Sequence, residues 1–71
     1  MSYDYSKLKG KIKEKYETRD RFAKALGIGL STLSLKLNNK AEWSQEEMRI
    51  TLQLLGETPD LVDTYFFAHK V

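Results

Sequence analysis

Side chains that commonly carry acid–base or nucleophilic chemistry are scarce in this 71-residue chain. It has no cysteine, and no second metal ligand lies at a suitable spacing from its single histidine, His69. Glu46 and Glu47 are adjacent, and adjacent residues on a helix do not face one another, so they do not form a catalytic pair. The segment 27–29, Gly-Ile-Gly, is too short for a phosphate-binding loop and lies between two predicted helices. We therefore expect no catalysis, no metal and no cofactor.

A binding surface is instead indicated at residues 30–38. Leu33 and Leu37 lie one turn apart on a helix, and together with Ile28 they are expected to face the core. The outward positions are then Leu30, Ser31, Ser34, Leu35 and Asn38, with Thr32 at the margin. Serine hydroxyls donate or accept hydrogen bonds, whereas leucine offers only apolar contact. This mixture suits the recognition of another molecule.

The residues before this surface predict a rigid support for it. Thr18 is a suitable N-cap for a helix over residues 19–26. The apolar residues on one face of that helix are Phe22, Ala23 and Leu26. Gly27 supplies the left-handed conformation that ends a helix in a tight turn, and helical spacing then resumes at residues 30–38. The segment 18–38 is thus a helix, a turn and a second helix, which is the helix-turn-helix layout.

A first helix is predicted to run from Asp4 or Ser6 to Tyr16. Apolar residues recur along it at helical intervals, and its expected buried face consists of Tyr5, Leu8, Ile12 and Tyr16. The second helix of the motif is expected to end in the polar turn 38–40, since asparagine tolerates the left-handed conformation.

A fourth helix is predicted to begin at Ser44, because Ser44 and Glu47 have the spacing of a capping box. Trp43, just before it, is expected to pack onto the core. The apolar residues along one side of this helix are Met48, Leu52 and Leu55, and the helix stops at Gly56.

A fifth helix is predicted from Pro59 to about Phe66, with Thr58 as N-cap and proline at the first helical position. No stretch of useful length alternates apolar and polar residues, so no sheet is expected. The sequence therefore predicts one all-α domain over residues 1–71, a compact bundle of about five short helices containing the helix-turn-helix.

Charge is distributed unevenly along the chain. Residues 1–40 carry a net charge of +6 and residues 41–71 carry −4, although the whole chain carries only +2. The basic half contains the helix-turn-helix, as expected of a surface that faces phosphates. The alternative left open is that the lysines of helix 1, which recur at every second position and so wrap around the helix, only make it soluble. No apolar run is long enough to span a membrane, and a protein of the cytoplasm is expected.

The motif resembles the Cro/repressor class of small helix-turn-helix proteins from temperate phages and bacteria. The residues that carry the resemblance are Phe22, Ala23, Leu26, Gly27, Ile28, Leu33, Ser34, Leu37 and Asn38. The opening YDYSKLKGKI and the closing DTYFF also resemble a subgroup of very small phage proteins, which includes Cro-like repressors and modulators of a repressor. The resemblance implies a regulator in the cytoplasm of a bacterial host.

Site residues follow from this resemblance by position. The residues that it places against bases are Leu30, Ser31, Thr32, Ser34 and Leu35. The residues that it places against phosphates are Arg19, Asn38 and Lys40. The position of Leu30, however, commonly carries glutamine or another amide, which reads adenine through two hydrogen bonds. No such base-reading side chain precedes Asn38 on this face, so readout of sequence is expected to be modest or assisted by DNA shape.

Leu30 and Leu35 lie on the face that the resemblance places against DNA, and two exposed leucines there also indicate a protein-binding surface. Leu30 and Leu35 are therefore candidates for a protein interface, and the alternative is that they pack under helix 4 or a nearby loop. The C-terminal apolar residues Leu61, Val62, Tyr65, Phe66 and Phe67 exceed what one short helix buries on its own side. Most are expected to close the core, and Phe66 or Phe67 is a candidate for a two-fold dimer contact.

Two hypotheses of different classes follow, and they can coexist. The first is a Cro-type transcriptional regulator that binds a double-stranded DNA operator as a homodimer and reads it with helix 3. The second is an interaction module that binds a partner repressor through the helix 3 face or the acidic half and alters its activity. An antitoxin-like regulator is a third option, for which the sequence offers no specific feature.

Overall fold

The structure, a computed structural model, describes residues 2–69. Its helices are α1 (Ser6–Tyr16), α2 (Arg19–Leu26), α3 (Leu30–Leu37), α4 (Gln45–Leu54) and α5 (Val62–Phe66), with a 3₁₀ turn at Pro59–Leu61. No strand forms within residues 2–69, where extended pairing is limited to an isolated antiparallel bridge between Tyr3 and His69. The predicted all-α class with five short helices is confirmed. None of the described helices is long and apolar enough to cross a membrane.

The helix beginnings follow the capping residues in the sequence. The Thr18 side chain accepts a hydrogen bond from the Arg21 backbone N–H, at 3.2 Å, and starts α2. At α4 both halves of the capping box are present. Ser44 Oγ accepts from the Glu47 N–H at 3.1 Å, and Glu47 Oε1 accepts from the Ser44 N–H at 2.9 Å. These bonds satisfy amide groups that a helix cannot pair internally.

Helices α2 and α3 end with a left-handed residue in the Schellman arrangement. Gly27 has a φ of 86° at the end of α2, and the Ile28 N–H bonds to the Ala23 carbonyl at 3.0 Å. Asn39 has a φ of 62° after α3, and the Lys40 N–H bonds to the Leu35 carbonyl at 2.8 Å. The turn between α2 and α3 consists only of Gly27 to Gly29. So short a connection restricts the angle between the two helices.

The core lies where the five helices meet. Its fully buried side chains include Leu8 and Ile12 from α1, Phe22 from α2, Leu33 and Leu37 from α3, and Leu55 at the end of α4. Tyr5 and Trp43 are also buried, as predicted, whereas Tyr16 is only half-buried and packs edge-on against Phe22. The small third helix thus has one buried face and one free face.

The fifth helix begins later than predicted. Pro59–Leu61 form a 3₁₀ turn, in which the Leu61 N–H bonds to the Thr58 carbonyl at 3.0 Å, and α-helical geometry starts only at Val62. Thr58 makes no side-chain capping bond. A 3₁₀ turn, with hydrogen bonds between residues three apart, is common at the N-terminus of an α-helix. Proline lies at the first position of this turn, as the sequence predicts.

The two ends of the described chain are joined. The Asp4 N–H donates to the Ala68 carbonyl at 2.7 Å beside the Tyr3–His69 bridge. The Asn39 side-chain amide donates to the Tyr3 carbonyl and accepts from the Tyr3 N–H, each at 2.9 Å. One asparagine after α3 therefore anchors the N-terminal segment, and with it the C-terminal one.

Candidate binding surface on α3

The outward face of α3 is open and uncharged, and it combines two leucines with three hydroxyl side chains. Leu30 and Leu35 are 44% and 47% exposed, the largest exposures of any big hydrophobic side chain among residues 2–69. Ser31 and Thr32 are exposed beside them, and Ser34 is half-buried. The alternative in which the two leucines pack under α4 or a loop is therefore wrong, because each side chain keeps nearly half of its surface in solvent.

No charged side chain interrupts this face between residues 30 and 35. The only cation of α3, Lys36, turns away from it and is 7% exposed. Its Nζ donates to the Glu42 carbonyl at 2.6 Å and to Glu47 Oε1 at 2.8 Å, and it lies 5.8 Å from the centre of the Trp43 ring. The charge is thus paired beneath the face, which leaves the face itself neutral.

The same contacts set the ionisation of Glu47. Desolvation by burial acts to raise its pKa, but hydrogen bonds from Lys36 and Ser44 outweigh burial, so the pKa lies below its ordinary value. Glu47 therefore carries a negative charge under physiological conditions, and it has two duties, capping α4 and holding Lys36.

Arg19, Asn38 and Lys40, the three predicted phosphate contacts, are all exposed. Arg19 shares a shallow depression of about 360 Å³ with Lys9 and Lys13 of α1, and Glu17, which pairs with Arg21, also lines it. Within the described residues, no ion pair includes Lys9, Lys13 or Arg19. Lys40 does not join them but lines a different depression, between the end of α3 and the C-terminal segment.

The C-terminal interface candidates separate into one buried and one exposed residue. Phe66 is 1% exposed and stacks edge-on against Trp43 at 5.0 Å between ring centres, so its assignment to an interface is wrong. Phe67 is 39% exposed and meets the Tyr3 ring edge-on at 5.7 Å. The reason is helical geometry, since α5 ends at Phe66 with that side chain facing the core and the next residue turns outward.

Two contributors to the site have little signal in the sequence. Lys36 resembles an ordinary solvated lysine, and Asn39 resembles a turn residue, yet both hold the C-terminal end of α3 through side-chain bonds. Their partners are eleven residues away for Lys36 and thirty-six for Asn39, so the bonds depend on how the helices cross. Across the part of the chain that the structure describes, no three His, Cys, Asp or Glu side chains are grouped to hold a metal.

The chain has recognisable relatives. A family model described as a protein of unknown function, DUF739, matches residues 1–69. The chain is also similar to a solved structure, the modulator of repression (MOR) of the temperate bacteriophage TP901-1 from Lactococcus lactis. The two share 46% sequence identity and a TM-score of 0.83, over 100% of this chain and 96% of the other. No curated protein sequence matches the chain.

Proposed function

The chain belongs to the DUF739 family and is similar to a small phage regulator, and from this premise we propose that it modulates a repressor by binding it directly. The similar phage protein is named a modulator of repression. High identity over the full length supports carrying the same kind of role to this chain. Of the two hypotheses raised by the sequence, the interaction module is therefore favoured over the Cro-type operator reader.

The observation that carries the proposal is the pair Leu30 and Leu35 on the free face of α3. Both are about half exposed, Ser31 and Ser34 occupy the helix surface between them, and the face carries no charge. A protein partner that covers the two leucines removes apolar surface from water, which favours binding by about 1 kcal/mol for each. No charged group on this face has to be desolvated, and that is the usual obstacle to burying a polar surface.

The short turn before α3 makes this face rigid. Three residues join α2 to α3, and Schellman hydrogen bonds close the C-terminal ends of both helices. On the side of α3 opposite the exposed face, Lys36 joins α3 to α4. A rigid face loses little conformational entropy when it docks. In the sharpest form of the proposal, it covers the DNA-contacting surface of the repressor, so that repressor and operator no longer meet.

The test is a calorimetric titration of the chain into the purified repressor of the phage that encodes it. Leu35→Asp should abolish heat of binding, because it places a charge on the surface that the repressor would bury. Ala25→Asp, at an exposed position of α2 outside the patch, is the matched control and should bind like the unaltered chain. Circular dichroism establishes that both variants are folded. A complex that survives Leu35→Asp would remove the α3 face from the proposal.

A second candidate function is operator binding, favoured by the basic depression formed by Lys9, Lys13 and Arg19. Cations held together without ion pairs suit a phosphate backbone. Fluorescence anisotropy on the control region of the phage, with random duplex as competitor, tests this role. Arg19→Glu should weaken binding to all duplexes and flatten its salt dependence, whereas Ser34→Ala should affect the preferred site more than random DNA. If competitor DNA and moderate salt abolish the binding, operator recognition is excluded and only the role with a protein partner remains.

A further inference from the structure

A second surface lies between α4 and the C-terminal segment and shares no residue with the α3 face. It is an open groove of about 790 Å³. The apolar side chains that line it are Met48, Leu52, Pro59, Val62 and Phe67. Phe67, which also borders the depression beside Tyr3, is 39% exposed. The α4 residues that line it recur three and four positions apart, so one face of a helix forms its wall.

The charge around this groove is negative on balance. Arg49, which lines it, is neutralised by the Glu46 carboxylate one turn earlier on α4. Glu57 is neutralised by Lys11 of α1, with 3.1 Å between Nζ and Oε1. Asp60 and Asp63 do not line the groove themselves but directly follow the groove residues Pro59 and Val62, and we call these two positions its rim.

Both aspartates are exposed and have no ion-pair partner within residues 2–69. The described carboxylates of residues 41–71 that form no ion pair are therefore these two and Glu42, which lines a different depression.

We propose that this groove binds a basic amphipathic helix of a partner protein. An apolar stripe on such a helix would lie on Met48, Val62 and Phe67, with the buried Leu52 as the floor beneath it, while its lysines or arginines would face Asp60 and Asp63. Laying an amphipathic helix into an apolar groove is a common recognition mode, and opposite charges at the rim set its partner and orientation. An acidic helix would make the apolar contact but be repelled by the aspartates at the rim. A neutral helix would make the apolar contact and gain no attraction there. This site is independent of the α3 face.

The probe is a labelled peptide of about five helical turns, built from leucine and lysine so that leucines form one stripe. Two control peptides are used. A scrambled leucine–lysine peptide keeps the composition and loses the stripe, and a leucine–glutamate peptide with the same spacing keeps the stripe and reverses the charge. We expect the basic helix to bind, and its binding to shift backbone amide resonances of α4 and residues 59–67 in an NMR titration. The scrambled and acidic peptides should bind at least tenfold more weakly, since one lacks the stripe and the other the charge.

Charge reversal at the rim provides the matched variants. Asp60→Lys with Asp63→Lys should raise the dissociation constant of the basic peptide about tenfold at low salt. Asp20→Lys, at an exposed carboxylate of α2 that does not line the groove, and Leu35→Asp on the α3 face should both leave it unchanged.

Resonance shifts confined to α3, equal binding by the acidic peptide, or no binding by the basic one would each overturn the proposal. Sedimentation of the chain as a dimer that excludes the peptide would overturn it in favour of a second copy in the groove.

Discussion

Lys36 Nζ lies 2.8 Å from Glu47 Oε1, and this ion pair joins the helix that carries the binding face to the capping box of α4. Both side chains are shielded, with 9% and 23% of their surfaces exposed. Glu47 is already held by Ser44, so the lysine meets an oriented carboxylate. The orientation of α3, and therefore of Leu30 and Leu35, depends on a contact formed on the opposite side of the helix.

Removing the lysine charge should destabilise the fold. Lys36→Met keeps the apolar stem but leaves Glu47 Oε1 and the Glu42 carbonyl without this donor. We expect a loss of about 1–3 kcal/mol in the free energy of unfolding, measured by urea denaturation. Lys24→Met is the control, because its ion pair with Asp20 is exposed, and it should change stability by less than about 0.5 kcal/mol. Equal effects of the two substitutions would contradict a structural role for Lys36.

The stability contributed by Glu47 should depend on pH in a defined direction. Its pKa is lowered from an ordinary 4.5 in the folded chain, so the folded state favours the carboxylate. The contribution is fully present above pH 4.5 and is lost as the pH falls through the lower folded pKa. The difference in unfolding free energy between the unaltered chain and Glu47→Gln should therefore be largest near neutral pH and shrink below about 4.5. A difference that stays constant from pH 7 to pH 3 would exclude charge as its source.

Local chemistry explains why much of the fold is predictable from the sequence. Thr18, Ser44 with Glu47, and Gly27 each act on their immediate neighbours, and each lies at the helix end that the sequence predicts for it. The periodic apolar residues of α1 and α3 also lie in the core. These signals depend on backbone geometry within one or two turns, which the sequence specifies directly.

Features that depend on tertiary contacts are not predictable in this way. The Asn39 amide bonds to the backbone of Tyr3, thirty-six residues away, and nothing in either local sequence indicates it. Phe66 and Phe67 are chemically identical, and only the end point of α5 decides which one is buried. The exposure of Leu30 and Leu35 likewise depends on whether α4 reaches across α3, which no local pattern specifies.

Two glycines should respond in opposite ways to substitution by alanine. Gly27 has a φ of 86°, which disfavours any side chain, although the space around it is open. Gly27→Ala should therefore cost about 1 kcal/mol of unfolding free energy through backbone strain alone. Gly10 lies in the middle of α1, also with open space, and Gly10→Ala should stabilise by up to about 1 kcal/mol. Thermal denaturation of both variants measures this, and a stabilising Gly27→Ala would contradict the left-handed turn before α3.

Two leucines two positions apart on α3 should separate core from binding face. Leu33 is fully buried, and Leu33→Ala should cost about 2–5 kcal/mol of unfolding free energy. Leu35 is 47% exposed, and Leu35→Ala should cost less than about 1 kcal/mol. Denaturation is measured at two protein concentrations, because a homodimer that buries Leu35 would make its melting temperature depend on concentration. A large, concentration-dependent cost for Leu35→Ala would show that a second copy already covers this face, and a repressor would then have to displace it. A small cost at both concentrations would leave the leucine available to a partner, as the proposed function requires.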